Sequence, residues 1–148
     1  MLQEKYSAKK HNFKVDFIIN VYYCLSVYKG ENMYDKNNVF AKIIRGEIPS
    51  EKIVENEYAM SFYDVNPLTE VHALVIPKGE YENVLDFTKN ASEIEQTAFW
   101  KCFVETVDKL GVMCDFNVLS NVGKNAPLAE QSVFHFHLHI TAGKKVCK

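Results

Sequence analysis

The sequence predicts an α+β domain with a five-stranded antiparallel sheet, one short helix and one long helix. Three observations predict this class. Five short segments have the composition of strands, two segments carry helical patterning or helix-end signals, and neighbouring strands are joined by short turns. Because a short turn joins antiparallel strands whereas parallel strands need a long crossover, we expect an antiparallel sheet.

The first predicted element is the short helix. Asn37 or Asn38 can cap its start, because an Asn side chain accepts a hydrogen bond from the unpaired backbone N–H groups there. The helix runs through Ile44. Gly46 lies just past its end, where glycine readily adopts the backbone conformation that stops a helix.

The strands are predicted from short runs rich in apolar and β-branched residues and bounded by turn residues. Two of them, over residues 52–55 and 58–63, are joined by a turn, and a third strand covers residues 71–77. The fourth and fifth strands are predicted over residues 115–121 and 133–141.

The long helix lies between the third and fourth strands. Ser92 and Glu95 form a capping box at its start, and Gly111 can end it. Its predicted apolar face recurs at helical spacing. The members of this face are Ile94, Ala98, Phe99, Cys102, Phe103, Val107 and Leu110.

The composition is that of a soluble globular protein with about one domain. The chain has 148 residues, of which 47% are apolar and 24% are charged. Its 17 basic and 19 acidic residues give a net charge of -2, so no basic excess indicates a nucleic-acid partner. The apolar run over residues 17–28 is too short to span a bilayer, so no membrane partner is expected.

The cysteines indicate a reducing compartment. The chain has four, and no two form a Cys-x-x-Cys pair, so a thiol zinc site or redox motif has no support. We expect free thiols and a cytoplasmic location. The four are Cys24, Cys102, Cys114 and Cys147.

The first 32 residues differ from the rest of the chain. Lysines precede the apolar run over residues 17–28, as in a signal peptide, but no small-x-small cleavage site follows. Another interpretation is that the true start is Met33. We favour an extension over residues 1–32 that lies outside a domain formed by residues 33–148.

The fifth strand carries three histidines in alternation. If residues 133–141 form a strand, His135, His137 and His139 point to one face and lie roughly 6.5 Å apart, whereas Phe136 and Leu138 point to the core. Two chemistries fit this pattern. The imidazoles can bind zinc with a nearby third ligand, or one can attack phosphorus while its neighbours hold the phosphate and protonate the leaving group.

The residues around the motif favour phosphorus chemistry. No cysteine or further carboxylate adjoins the three histidines, so a metal site gains no support there. Gln131 and Ser132, directly before the motif, offer neutral hydrogen-bond donors suited to phosphate oxygens.

The motif resembles the His-x-His-x-His signature of the histidine triad (HIT) family, and the surrounding sequence resembles its Hint branch. The resemblance covers Asn38 to about Gly143. Its supporting segments are residues 39–49 (the opening helix), 62–67 and 71–78 (the second and third strands), 121–123 and 131–132 (the phosphate side) and 135–141 (the motif).

The resemblance implies roles for the catalytic residues. His137, the middle histidine, would be the nucleophile, and His139 would contact the phosphate and assist the leaving group together with Ser132. His135 would position the nucleophile, with His72 as its neighbour from the third strand.

The resemblance also implies a nucleotide site. Asp64 would bind the ribose hydroxyls. The residues implied to line the nucleobase pocket are Val39, Phe40, Ile43, Ile48, Phe62 and Val65, and those implied to face the phosphate are Asn121, Gln131 and Ser132.

Two departures from the family pattern stand out. Asn38 and Ala41 occupy the places where many bacterial members have a zinc-binding Cys-x-x-Cys pair, so no metal and no cofactor are expected. The loop over residues 124–130 is longer than in the compact Hint pattern, and Glu130 stands where glycine is common.

The implied function is hydrolysis of nucleoside 5′-phosphoramidates, or related nucleotide conjugates, at the α-phosphorus. The reaction would pass through a nucleotidyl-histidine and release a nucleoside monophosphate such as AMP. The expected partners are a small purine nucleotide and a second copy of the chain. Two alternatives stay open: a dinucleoside polyphosphate hydrolase of the Fhit type, and a non-catalytic nucleotide-binding regulatory module.

Overall fold

The computed structural model describes residues 34–126 and 129–145, which belong to one compact unit of the chain. The predicted extension over residues 1–32 lies outside the described residues, as do Cys24 and Cys147. The helices are α1 (Val39–Ile44), α2 (Val84–Asn90) and α3 (Glu93–Leu110). The strands are β1 (Lys52–Glu55), β2 (Ala59–Tyr63), β3 (Thr69–Pro77), β4 (Asn117–Leu119) and β5 (Leu138–Lys145).

The five strands form one sheet in the order β1-β2-β3-β5-β4, and every neighbouring pair is antiparallel. The predicted fold class is therefore confirmed. The strands β3 and β5 lie inside the sheet, and β1 and β4 form its edges.

The helix ends follow the signals in the sequence. The Asn38 side chain accepts a hydrogen bond from the backbone N–H of Ala41 at 2.9 Å and caps α1. Ser92 and Glu95 form the predicted capping box of α3. Gly111 ends α3 with a φ of 67°, a left-handed conformation that favours glycine.

The helix α2 is an addition to the prediction. The Asn83 side chain caps it by accepting hydrogen bonds from the backbone N–H groups of Leu85 and Asp86. Only Phe87 among its seven residues is buried. Val84 and Phe87 have the spacing of one helix face, but a segment of seven residues is too short for this spacing to predict a helix.

The sheet buries a different apolar cluster on each face. The helix α3 covers one face, and α1 packs on the other. The α3 side of the first cluster includes Phe99, Cys102 and Val107, which lie against Val54, Ala59, Ala73, Val75 and Ile140 of the strands. The second cluster contains Phe40, Ile43, Met60, Phe62, Leu74 and Ile76.

The fifth strand begins later than predicted, at Leu138 instead of residue 133. Val75 pairs with Leu138, so continued pairing would bring Phe136 opposite Pro77. Proline has no N–H to donate to a ladder, and the N–H of Phe136 donates to the Tyr81 carbonyl at 2.6 Å instead. The first two histidines of the motif therefore precede the strand.

Further differences lie at the surface. Ile94, predicted on the apolar face of the long helix, is 64% exposed. The predicted fourth strand shortens to three residues, Asn117–Leu119, which are the residues that pair with β5. Cys102 and Cys114 are free thiols, as predicted. None of the helices in the described part of the chain combines the length and apolar character that a membrane crossing requires.

Candidate active site

His137 lies one residue before β5 and is buried. Its Nδ1 lies 2.7 Å from the carbonyl oxygen of His135. Because a carbonyl only accepts hydrogen bonds, Nδ1 carries the hydrogen, and in the neutral ring Nε2 carries a lone pair. Nε2 has no hydrogen-bond partner among the described residues. Burial lowers the pKa of His137, more than the hydrogen bond to the carbonyl and the nearby Asp64 raise it, and so favours the neutral ring.

His135 is held at both ring nitrogens. Its Nε2 lies 2.8 Å from the carbonyl oxygen of Pro77, so Nε2 carries the hydrogen and donates it. Its Nδ1 contacts the hydroxyl group of Tyr34 and can only accept there. Burial is the main cause that lowers the pKa of His135 to about 4, and the nearby His137 contributes. The ring is therefore neutral at physiological pH.

His139 and His72 form a directed hydrogen bond. The backbone N–H of Leu68 donates to Nδ1 of His72 at 3.1 Å, so in the neutral ring the hydrogen of His72 is on Nε2. This Nε2 lies 2.9 Å from Nδ1 of His139 and donates to it. His139, whose pKa burial and the two neighbouring histidines lower to about 4, therefore carries its own hydrogen on Nε2.

The Nε2–H of His139 is buried and has no partner within the described residues. A buried donor without a partner costs about 1–3 kcal/mol, so its persistence in a native structure calls for an explanation. The ring centroids of His137 and His139 are 4.9 Å apart. An unpaired donor thus lies beside an unpaired acceptor nitrogen, which is an arrangement suited to a ligand that fills both.

The structure corrects the implied place of His72. It contacts His139 and not His135, because the register of the two central strands puts His72 opposite Thr141 and Leu74 opposite His139. His135 precedes the strand and is bound by Tyr34 and Pro77.

Asp64, His72 and His139 carry possible metal-ligand atoms within 4.8 Å of one another. A metal-bound histidine normally donates its other ring N–H to an acceptor. In His72 the other nitrogen accepts from Leu68, which is the opposite direction. The donor set therefore fits a chain of hydrogen bonds better than it fits a cation.

Asp64 is half-buried at the start of the β2–β3 turn. Its Oδ1 accepts from the backbone N–H of Asn66 at 2.8 Å, and its Oδ2 lies 3.5 Å from Nε2 of His72. At 3.5 Å this second contact is too long for a strong hydrogen bond. Oδ2 therefore keeps capacity to accept hydrogen bonds from a ligand.

The implied base-pocket residues divide into two sets. Phe40, Ile43, Ile48 and Phe62 belong to the second apolar cluster, and the Phe40 ring contacts the rings of Phe62, His135 and His137 edge-on. The structure thus brings this set to the histidines. Val39 and Val65 are exposed, the latter by 87%.

Gln131 differs from its implied role at the phosphate side. Both of its side-chain N–H groups donate to carbonyls, those of Glu82 and Val133. Its Oε1 accepts from the N–H of Gly123 at 3.1 Å, and its own backbone N–H donates to the Gly123 carbonyl at 2.9 Å. The side chain holds the loop base and has no hydrogen left to donate to a phosphate.

The other two residues implied at the phosphate are more accessible. Asn121 is half-buried, and Ser132 is exposed. Neither side chain makes a hydrogen bond within the described residues. Both therefore remain available to a ligand.

Two residues of the site were missed from sequence. Tyr34 contacts His135, and the hydroxyl of Ser120 donates to the carbonyl of His137 at 2.9 Å. Tyr34 is an isolated aromatic residue before the first helix cap, and Ser120 lies inside a predicted strand. Neither belongs to a pattern that signals a site.

Residues 45–146 match the family model described as the HIT domain. The chain belongs to the HIT family. A HIT-like protein from Helicobacter pylori is 49% identical over 111 residues, which are 73% of this chain and 98% of that protein. The predicted resemblance to the HIT family is therefore confirmed.

Solved HIT structures share the fold. A HIT family hydrolase from Clostridium thermocellum has a TM-score of 0.63 at 30% identity and covers 77% of this chain and 96% of its own. A histidine triad nucleotide-binding protein from Candida albicans has a TM-score of 0.62 at 28% identity and covers 76% of this chain and 81% of its own. These structures place the five-stranded sheet of this chain within the HIT fold.

Proposed function

We propose that this HIT protein is a nucleotide-binding hydrolase that cleaves nucleoside 5′-phosphoramidates, or related conjugates, at the α-phosphorus. One observation carries the proposal: the ring of His137, which has a lone pair on Nε2, lies with its centroid 4.9 Å from that of His139, whose buried Nε2–H has no partner within the described residues. A nucleophile needs a lone pair, and the phosphate oxygens and leaving group need a donor. One of the two solved relatives is a HIT family hydrolase and the other is a nucleotide-binding protein, which agrees with this chemistry.

In the first step, Nε2 of His137 attacks the α-phosphorus. A nitrogen–phosphorus bond forms to His137, and the bond from phosphorus to the amine breaks. The amine leaves with one proton, which the site takes up from solvent and passes on through Nε2 of His139. Ser132 is the second group implied in this proton transfer.

In the second step, water attacks the phosphorus of the nucleotidyl-histidine. The bond to His137 breaks, the nucleoside monophosphate leaves, and the proton from water returns to solvent through the site. The carbonyl of His135 accepts the Nδ1–H of His137 throughout and stabilises the positive charge that develops on the ring.

The remaining site residues bind the nucleotide. Apolar side chains around Phe40 and Phe62 provide a surface for a purine base, and Oδ2 of Asp64 is free to accept from ribose hydroxyls. Asn121 offers its amide to the phosphate. These assignments leave Gln131 as a structural support of the loop.

Turnover of adenosine 5′-phosphoramidate by the purified protein tests the proposal, with diadenosine triphosphate as the competing substrate. We expect AMP release from the phosphoramidate at the higher kcat/KM, and loss of this release in His137→Asn. Faster cleavage of the dinucleotide would favour the Fhit-type alternative. AMP binding without turnover of either substrate would favour a regulatory module.

We further propose that the protein is a homodimer that pairs through α3 and β4. All three residues of β4 are exposed, and within the described residues this strand is a sheet edge whose outer backbone groups pair with no other strand. On α3, Trp100 is 49% and Val104 is 57% exposed. A two-fold partner would cover this apolar surface and pair the strand edge.

A further inference from the structure

We propose that Tyr34 is a positioning residue that keeps the nucleophile His137 in its reactive form by acting through His135. This inference rests on the proposed function, because it concerns the same nucleophile. Tyr34 lies before residues 45–146, which match the HIT domain. It also precedes the segment in which the sequence resembles the family.

The contact between Tyr34 and His135 has a defined direction. The single ring hydrogen of neutral His135 is on Nε2, where the Pro77 carbonyl accepts it at 2.8 Å. Nδ1 therefore holds a lone pair, and the Tyr34 hydroxyl donates to it. The two rings also meet edge-to-face, with centroids 5.5 Å apart.

The hydroxyl group is enclosed and not a surface feature. Tyr34 is 9% exposed and His135 is fully buried. Without the hydroxyl, Nδ1 of His135 would be a buried acceptor with no donor, which costs free energy and favours rotation of the ring. Phe40 contacts the ring of His135, with centroids 6.1 Å apart, but offers it no hydrogen bond.

The orientation of His135 affects the nucleophile His137 through the backbone carbonyl of His135. The carbonyl of His135 accepts the Nδ1–H of His137 at 2.7 Å. This bond selects the tautomer with a lone pair on Nε2. If His135 shifts, the carbonyl moves with it, and His137 can adopt the other tautomer, in which Nε2 carries a hydrogen and cannot attack.

The test compares Tyr34→Phe with Tyr81→Phe in the full chain. Both substitutions keep the ring and remove one hydroxyl that bonds to a side chain. The hydroxyl of Tyr81 donates to Glu95 at 2.8 Å, so it bonds to a carboxylate and not to a histidine. The measurements are kcat and KM for adenosine 5′-phosphoramidate, melting temperature, and ¹H–¹⁵N correlation spectra of the histidine rings.

We expect Tyr34→Phe to lower kcat by about 10- to 100-fold, because small displacements of a reacting group cost rates of this order. KM should change by less than about twofold, because base and ribose contacts stay intact. The spectrum of His137 should show a mixture of ring tautomers. Tyr81→Phe should keep both kcat and the His137 spectrum of the unmodified protein.

A kcat for Tyr34→Phe equal to that of Tyr81→Phe would overturn the proposal, and so would a lower kcat with an unchanged His137 spectrum. The unmodified protein provides a test that does not depend on the folding of a variant. Its His135 ring must be the neutral Nε2–H tautomer, and an Nδ1–H tautomer would overturn the proposal. Because these spectra need no turnover, a failure of the proposed phosphoramidase activity is distinguishable from a failure of this inference.

Discussion

The backbone N–H of Leu68 donates to Nδ1 of His72 at 3.1 Å. This bond sets the direction of a series of hydrogen bonds that leads through His72 to His139 in the active site. A backbone N–H cannot reverse its role, so His72 must donate from Nε2. His139 must then accept at Nδ1 and present its hydrogen on Nε2. A turn residue outside the motif thus determines which atom of the third histidine faces a ligand.

These hydrogen bonds from Leu68 through His72 to His139 predict the effect of substitutions at His72. His72→Leu removes the donor to Nδ1 of His139, and His139 can then adopt either tautomer. We expect kcat for the phosphoramidate to fall by about 10- to 100-fold, a part of the 10²–10⁴-fold that a proton-transferring group contributes. Steady-state kinetics and ring spectra of His139 measure the effect.

His72→Gln is the matched control, because the amide N–H of glutamine can occupy the place of Nε2–H. It should retain a higher kcat than His72→Leu and a single tautomer of His139. An equal loss of kcat in both variants would contradict the proposed direction of the hydrogen bonds.

His137→Asn removes the proposed nucleophile. We expect turnover to fall by several orders of magnitude, as it does in other covalent mechanisms when the nucleophile is lost. Binding of AMP, measured by calorimetry, should largely survive because Asp64 and the apolar cluster are unchanged. Acid quench with radiolabelled substrate should trap the label on His137, and a label on another residue would refute the assignment.

The buried histidines predict a dependence of stability on pH. Burial lowers the pKa of His135 and His139 to about 4, whereas an unfolded histidine titrates at about 6.5. Between these values the unfolded chain binds protons that the folded chain does not. The free energy of unfolding should therefore be highest above about pH 6.5 and should decrease as the pH is lowered to about 4.

Urea denaturation at a series of pH values measures this dependence. His139→Asn removes one of the titrating groups and should show a smaller decrease over the same range. This control separates the histidines from carboxylates, which titrate mostly below the same range. Identical pH dependence in the two proteins would exclude His139 as a contributor.

Light scattering should give twice the chain mass of 17.0 kDa. Trp100→Glu places a charge on the proposed interface and should shift the protein towards the monomer. Leu85→Glu is the control, since Leu85 is also exposed but lies on α2, outside the proposed interface. A monomeric unmodified protein at micromolar concentration would refute the dimer.

The purified protein should be active without a metal. Nδ1 of His72 accepts a hydrogen bond, which opposes metal coordination at the same ring. Chelators should leave kcat unchanged, and elemental analysis should find no stoichiometric zinc. About one zinc per chain together with loss of activity on chelation would show that the hydrogen-bond directions are wrong.

The fold was predictable where local signals and tertiary structure agree. The Asn38 cap and the Ser92–Glu95 capping box act within one turn of their helices, so sequence shows them directly. The start of β5 was not predictable, because Pro77 of another strand ends the pairing. Such a constraint depends on strand register, which the alternation of His135 to His139 does not reveal.

The residues of the candidate site were predictable from the sequence, but the directions of the hydrogen bonds between them were not. The motif and its family resemblance identify the three histidines. They do not show that Leu68 donates to His72, or that Tyr34 reaches His135. Each of these contacts joins the motif to a distant segment, and the roles of ring nitrogens follow from the contacts.

The two bonds between Gly123 and Gln131 have an evolutionary consequence. They close the loop at its base, so the intervening chain can lengthen without moving the residues on either side. Lengthening a closed loop is inexpensive, since each doubling costs about 0.6 kcal/mol. The loop that the family resemblance predicts to be long can therefore change in length while His137 and His139 stay in place.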